Sequence, residues 1–340
     1  MNRFAIAQPR TMKAAARLLT QQPAGSAVLK AGGMDVVDHL KEGLISPSTL
    51  VNIRVLRSDQ RAEGPNISMQ DDRIVIEANT TMAELADSPL IQEQAPVIAQ
   101  ALGGAATPQV RNVGTAAGNL LQRPRCWYYR QEQFDCMKKG GRICYAVEGE
   151  NKYHAIFGGG PCFIVHPSNL APAMHVLEGE IEFITNDADT PTRWPISRLY
   201  HLPQDGVRTE HRLPSDGVIT RLFVKPDSAS GFYAIKEKQS FDWPLVFACV
   251  ALSLDGSTIR QARVCAGAVA PIPWMLPDVA AALRGVSIDD DDALRSACSV
   301  AGEGADPLRD NAYKAQLLPV AVRRAILTAD GRPADPVPVA

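Results

Sequence analysis

Apolar positions along this chain follow two periods, one suited to helices and one to strands. Thr11 stands before MKAAARLLTQQ, whose spacing predicts a capped helix, and AVLK (27–30) predicts a strand that runs into a glycine pair. VVDHLKEG (36–43) reads as a second helix stopped by Gly43, and STLVNIR (48–54) as a further strand, giving a small layered unit over 1–56. RIVIEANTT (73–81) predicts a strand, and MAELADSPLIQEQAPVIAQALGG (82–104) carries helical spacing up to its closing glycines. Residues 107–125 are rich in Gly, Thr, Asn and Pro, which predicts turns and close backbone approach. From 126 to 162 apolar periodicity fades, and the segment reads as an insertion held by something other than a core.

Downstream, CFIVHPSNLAPAMHVLEGEIEF (162–183) predicts a strand, a turn, a short helix and another strand. VITRLFV (218–224) and PLVFACVALSL (244–254) are apolar runs separated by the polar FYAIKEKQSFDW, and RQARVCAGAV (260–269) is strand-like. Helices are expected near 278–284 and 311–328, and the acidic run Asp289–Asp292 suits the start of another. KPDSASG (225–231), rich in Pro, Ser and Gly, marks a boundary, and a Pro-rich tail follows at 333–338.

At 340 residues the chain is long enough for two or three domains, and 46% hydrophobic with 21% charged residues is an ordinary globular composition. Lys plus Arg number 35 against 37 acidic residues, a net charge of -2 with no long block of either sign, which argues against nucleic acid or an anionic membrane as partner. MNRFAIAQPR is too short in apolar residues for a signal peptide and no run of membrane-spanning length occurs, so a cytoplasmic location is expected. Seven cysteines in a reducing compartment suit buried thiols or metal ligands better than disulfides.

LKAGGMDVV places Gly32 and Gly33 between a strand and a helix, where bare amides can approach a phosphate, although such a pair also makes a plain turn. ATPQVRNVGTAAGNLLQRPR is more specific: Gly114 and Gly118 allow close approach, while Thr115, Asn119, Gln109, Arg111 and Asn112 offer groups to a diphosphate or ribityl chain. A buried network of polar turns is the alternative. No Ser-His-Asp order, paired-carboxylate signature or P-loop accompanies these segments.

Together, AGGMD and TPQVRNVGTAAGN resemble the FAD-binding medium subunits of the molybdenum hydroxylases, the xanthine dehydrogenase and carbon monoxide dehydrogenase family. The likeness continues in order through HPSNLAPAM, YAIKEKQSFDWP, GAVAPIPW and NAYKAQLLPVAVRRAI. It implies an α+β fold: a bipartite, PCMH-like FAD-binding domain over 1–225, with lobes 1–56 and 57–225, then a smaller α+β domain over 226–330 and a tail from 331. Carried over residue by residue, it implies that Lys30, Ala31, Gly32, Gly33, Met34, Asp35 and Val36 wrap the FAD diphosphate. Thr107, Gly114, Thr115, Gly118 and Asn119 would complete the diphosphate and ribityl contacts, with Ser168, Asn169 and Lys236 near the flavin. Met34 stands where a Thr is common, and Asn169 replaces a carboxylate with an amide.

Cys126, Cys136, Cys144 and Cys162 are separated by 9, 7 and 17 residues, without the close knuckle spacing of structural zinc. Four thiolates suit an iron-sulfur cluster; zinc and four unliganded cysteines are the alternatives. The insertion also resembles that of the minority of medium subunits, in 4-hydroxybenzoyl-CoA reductase and periplasmic aldehyde oxidoreductase, that carry a 4Fe-4S cluster. Trp127, Tyr128 and Tyr129 would shield such a cluster, pack near the flavin or simply pack with each other. His154 and His166 read as satisfied structural histidines, and Cys249, Cys265 and Cys298 as core thiols. The resemblance implies an electron-relay subunit. Its partners would be a large molybdenum-pterin subunit, a small subunit with 2Fe-2S clusters and an external electron carrier. A self-contained flavin reductase and a flavin-less structural subunit are the competing readings.

Overall fold

The computed structural model describes residues 1–58, 64–332 and 334, so the Pro-rich tail predicted at 333–338 lies outside the described residues apart from position 334. Three sheets organise the chain. The first is parallel, in the order β1 (Ala5–Ala7), β3 (Thr49–Asn52), β2 (Ala27–Lys30), and is crossed by helices Met12–Thr20 and Met34–Lys41. Thr11 caps the first helix by accepting from the Ala14 amide at 3.0 Å, and Gly43 follows the second with φ +72°.

The second sheet is antiparallel and holds five strands, ordered β4 (Ile67–Gln70), β5 (Arg73–Glu77), β8 (Val218–Val224), β6 (Glu180–Ile184), β7 (Thr192–Pro195). Its apolar face packs against helical segments from 82–104 and Leu170–Val176. The helical run predicted over 82–104 is three helices, Met82–Asp87, Pro89–Gln94 and Pro96–Gly103. Pro89 and Pro96 each lack the amide needed to continue a helix, and each instead begins a new one. Within the predicted turn region, Thr107 and Thr115 cap two short helical turns, Pro108–Arg111 and Ala116–Leu120.

The third sheet is antiparallel, ordered β12 (Trp274–Met275), β11 (Thr258–Gly267), β10 (Pro244–Asp255), β9 (Ser230–Lys236). Side chains alternate across a strand, and β10 is buried on both faces. Phe247, Cys249 and Ala251 join the core of the second sheet, whereas Val246, Ala248, Val250 and Leu252 pack with residues of helix Tyr313–Ala329. That double burial accounts for the unbroken apolar run PLVFACVALSL. Helices Pro277–Ala282 and Asp291–Ser299 complete this layer, the second capped by Asp290.

The strand predicted at 162–166 does not form. This buried segment exchanges isolated backbone bonds, Ala155 N–H to the Phe163 carbonyl and His166 N–H to the Ala270 carbonyl, without laddered pairing to a neighbouring strand. The segment is apolar because it is buried in the interior, and among the described residues no strand runs beside it to pair with. Cys249, Cys265 and Cys298 are buried core thiols.

Replacing Phe247 with Ala removes a ring that is 1% exposed at the junction of the second and third sheets, and should lower the unfolding free energy by about 3–5 kcal/mol. The exposed Ile143 provides the control, and its alanine variant should change stability by less than about 0.5 kcal/mol in the same denaturant titration. Equal losses in the two variants would contradict the double-sided core.

Candidate functional site

β2 leads directly into the first glycine segment. Gly33 holds φ +89°, a left-handed conformation that L side chains rarely adopt, and it precedes helix Met34–Lys41 without any side-chain cap. The first amides of that helix therefore have no capping side chain at the positive end of the helix dipole. Gly32 meets the second segment, because a Cβ built there would lie 1.8 Å from the Val113 carbonyl oxygen. The second segment is fixed in turn by backbone bonds from Met82 N–H to the Gly114 carbonyl (2.9 Å) and from Ala116 N–H to the Thr80 carbonyl (2.8 Å). Lys30 through Val36 and Val113 through Thr115 thus form one cradle, with Met34 at its exposed edge.

The other expected flavin residues fall into two groups. Thr107 and Thr115 spend their hydroxyl oxygens as helix caps, accepting from Val110 N–H and Gly118 N–H. Buried Asn119 accepts from the Ser168 hydroxyl at 2.6 Å and from Leu170 N–H at 3.3 Å, joining the second glycine segment to 168–170. Asn169 is buried with its amide donating to the Ala101 carbonyl at 3.0 Å, and Lys236 donates to the Gly104 carbonyl at 2.7 Å. Arg111 donates to the Ala105 and Ala106 carbonyls, so three side chains converge on the corner 101–106. Burial pulls Lys236 below the usual lysine range, and neighbouring Arg111 adds to the effect.

Asp35 does more than lie in a loop. Its carboxylate accepts from the Arg123 amide at 2.9 Å, from the Arg130 guanidinium at 2.8 Å and from Arg125 at 3.1 Å. Burial raises the Asp35 pKa, but Arg125, the Arg123 amide and Arg130 more than offset it, so the group lies below the ordinary carboxylate range. Arg130 also holds Glu42 and the Pro124 carbonyl, and the Tyr129 hydroxyl meets His39 of the same helix at 3.2 Å. Further along, Glu210 receives Arg123 at 2.8 Å and Lys138 at 2.5 Å. These ties clamp the start of the cysteine insertion onto the helix of the first glycine segment. None was visible in the sequence, where the partners of Asp35 lie about 90 positions away and arginine spacing carries no pairing information.

Cys126, Cys136, Cys144 and Cys162 line a single pocket, closed by Tyr128, Tyr129, Tyr145 and Ile164. Phe134 and Tyr145 pack edge-on at 5.1 Å, and Tyr128 stacks beside Tyr145 at 5.9 Å. Cys144 and Cys162 share a hydrogen bond that pulls Cys144 down to about 6 and pushes Cys162 far up. Burial pushes the Cys126 thiol up to about 11. Among the described residues, no group of three or more His, Cys, Asp or Glu side chains is arranged to hold a metal ion as the side chains stand. Four thiols gathered in one pocket are a donor set that could hold an iron-sulfur group.

The reading of His154 and His166 as satisfied histidines is corrected here. His154 Nε2 lies 3.3 Å from Cys126 Sγ while its Nδ1 is buried without a partner, and His166 accepts from Ser168 N–H while its Nε2 is buried without one. Burial lowers them to about 4 and about 3 respectively, so both rings are neutral at pH 7. Sequence reasoning also missed Lys314, a buried ammonium that donates to the carbonyls of Tyr153, His154 and Ala268. Its one signal in the sequence is a lysine opening an otherwise apolar helix.

Comparison with known proteins identifies the family of the chain. Residues 2–224 match the FAD binding domain in molybdopterin dehydrogenase, and residues 231–329 match the CO dehydrogenase flavoprotein C-terminal domain. The aldehyde oxidoreductase FAD-binding subunit PaoB of Escherichia coli is 30% identical over 263 residues, 76% of this chain and 79% of that one. The carbon monoxide dehydrogenase medium chain of Hydrogenophaga pseudoflava is 23% identical over 97% of this chain and 98% of its own length. In fold, a solved carbon monoxide dehydrogenase from that organism matches with a TM-score of 0.72 over 98% of this chain and 99% of the matched chain, at 23% identity. Quinoline 2-oxidoreductase of Pseudomonas putida 86 also scores 0.72, over 96% and 97%, at 20% identity.

Gly32→Ala places a methyl group where the Val113 carbonyl stands, and should weaken flavin retention by more than about tenfold, the cost of prising two backbone segments apart. Flavin fluorescence after gel filtration measures it, and full occupancy in the variant would remove the cradle assignment. Asp35 supplies a pH test with a fixed sign. Its folded pKa is depressed, so its contribution to docking is complete above the ordinary carboxylate range and is lost as pH falls through the folded value. Asp35→Asn should abolish that acid-dependent loss and expose 123–130 to limited proteolysis at neutral pH.

Proposed function

We propose that this chain, which belongs to the family of FAD-binding subunits of the molybdopterin dehydrogenases, holds FAD on its paired glycine segments and a 4Fe-4S cluster on Cys126, Cys136, Cys144 and Cys162. As a member of that family it is the flavin subunit of a molybdenum hydroxylase-type oxidoreductase. Substrate chemistry belongs to a separate large subunit with molybdenum-pterin, and a small subunit with 2Fe-2S clusters completes the complex. This chain's task is to relay electrons between those clusters and an external carrier.

FAD supplies the exchange between one-electron and two-electron carriers, and the cluster supplies a one-electron site. The residues of the chain bind and orient. The segment Lys30 through Val36, which opens an uncapped helix, offers backbone amides to a diphosphate; Gly114 through Asn119, whose amides at 114 and 116–119 are bonded within the protein, offers close approach, and Ser168, Asn169 and Lys236 set the far side of the flavin site. The unit boundary that fits this reading lies at 225/226, between the FAD-binding domain and the C-terminal domain, and the matched ranges 2–224 and 231–329 support it. Seven free cysteines suit a reducing compartment, and the cytoplasm is the location we propose. No described helix is long and apolar enough to cross a membrane.

The observation that carries the reading is the joint one: a four-cysteine pocket tied through Asp35 and the Tyr129–His39 contact to the helix that opens on the first glycine segment. Metal and flavin analysis of the anaerobically purified complex tests it. Cys136→Ser should lose about four irons per chain relative to wild type while keeping its FAD. Zinc in the wild-type chain, or equal iron in both proteins, would contradict the cluster.

A further inference from the structure

Among the side chains lining the cysteine pocket, His154 is fixed from several directions at once and meets a cysteine sulfur. His154 follows directly from the Asn151 turn, where its amide donates to the Asn151 carbonyl at 3.0 Å. Its own carbonyl receives both the Lys314 ammonium at 3.0 Å and the Asn311 amide at 3.1 Å, and both donors belong to the C-terminal layer. The imidazole ring stands edge-on to Trp127 with centroids 5.4 Å apart, and tilts against Tyr128 at 6.1 Å. These restraints leave Nε2 at 3.3 Å from Cys126 Sγ. Nδ1, the ring's other nitrogen, is buried and points away from the sulfur, so Nε2 is the atom that meets Cys126.

We propose that His154 is a positioning residue of the cysteine pocket, donating an Nε2–H hydrogen bond to the Cys126 thiolate and thereby raising the reduction potential of the group that Cys126 ligates. The inference rests on the cluster reading given above. A ligating Cys126 is a thiolate with no proton to give, so the 3.3 Å contact has one possible direction, from nitrogen to sulfur. Charge added on reduction accumulates partly on the cysteine sulfurs, and a donor aimed at one of them stabilises the reduced form more than the oxidised one. Lys314 and Asn311 contribute by holding the backbone on which the ring stands. Neither reaches the sulfur.

Redox titration of the anaerobic complex, followed by electron paramagnetic resonance, tests the assignment on His154→Leu and His154→Gln, with iron and FAD counted in each. His154→Leu should keep wild-type iron and FAD while its cluster becomes about tenfold harder to reduce, a shift of about 59 mV to more negative potential for one electron. His154→Gln retains an N–H donor at similar reach and should recover most of the shift. An unchanged potential in His154→Leu would overturn the proposal, as would a Gln variant that behaves like Leu. Loss of iron from both variants would make His154 a ligand and equally refute it. Wild-type protein without iron in this chain would instead sink the underlying cluster reading. A measurement on folded wild type guards against unstable variants: with ¹⁵N-labelled histidine, the reduced cluster should show a weak nitrogen coupling of a hydrogen-bonded ring. Either no coupling or the strong coupling of a direct ligand would contradict the assignment.

Discussion

The carboxylate of Asp35, gripped by two guanidiniums and a backbone amide, is the interaction on which the rest of the site depends. It lies in the first turn of helix Met34–Lys41, where a negative charge already suits the helix dipole. Burying that charge would be costly alone, but Arg125 and Arg130 compensate it, and each arginine finds a second partner in Asp38, Glu42 or the Pro124 carbonyl. The result fixes where the chain leaves the second glycine segment and enters the cysteine insertion. Position of the glycine-loop helix and position of the cysteine pocket are therefore one structural fact.

An insertion without apolar periodicity is ordered here by charges and rings at three places. Asp35 holds its beginning, the Lys138–Glu210 pair its middle, and Lys314 with Asn311 its end. Between these anchors, Trp127, Tyr128, Phe134 and Tyr145 pack edge to face or stacked, supplying a small apolar wall for the thiols. Lys314 is the link to the C-terminal layer, whose helix Tyr313–Ala329 also packs with one face of β10. The other face of β10 serves the core beneath the second glycine segment, so the C-terminal layer supports both halves of the site.

The longer elements were legible because their causes are local. Thr11 as a cap, the acidic run Asp289–Asp292 as a helix start, Gly43 as a stop, and the doubly apolar β10 can each be read within a few residues. Ala5–Ala7, Ile67–Gln70 and Thr192–Pro195 escaped notice, since short, partly exposed strands owe their existence to a neighbour. Residues 162–166 misled for the opposite reason: they are as apolar as a strand but have no ladder to join. The glycine segments and the four cysteines were visible as residue types. Their meeting was not, because the ties that bring them together are long-range charge pairs. His154 was misjudged because an unpartnered ring nitrogen is a property of its surroundings and leaves no mark on the sequence.

Anomalous diffraction at the iron edge, from anaerobically grown crystals of the complex, tests the central claim most directly. The account predicts one compact, multi-iron peak within bonding distance of the sulfurs of Cys126, Cys136, Cys144 and Cys162, in the pocket beside the glycine-loop helix. A single-ion peak, or no iron signal among those four sulfurs, would contradict it.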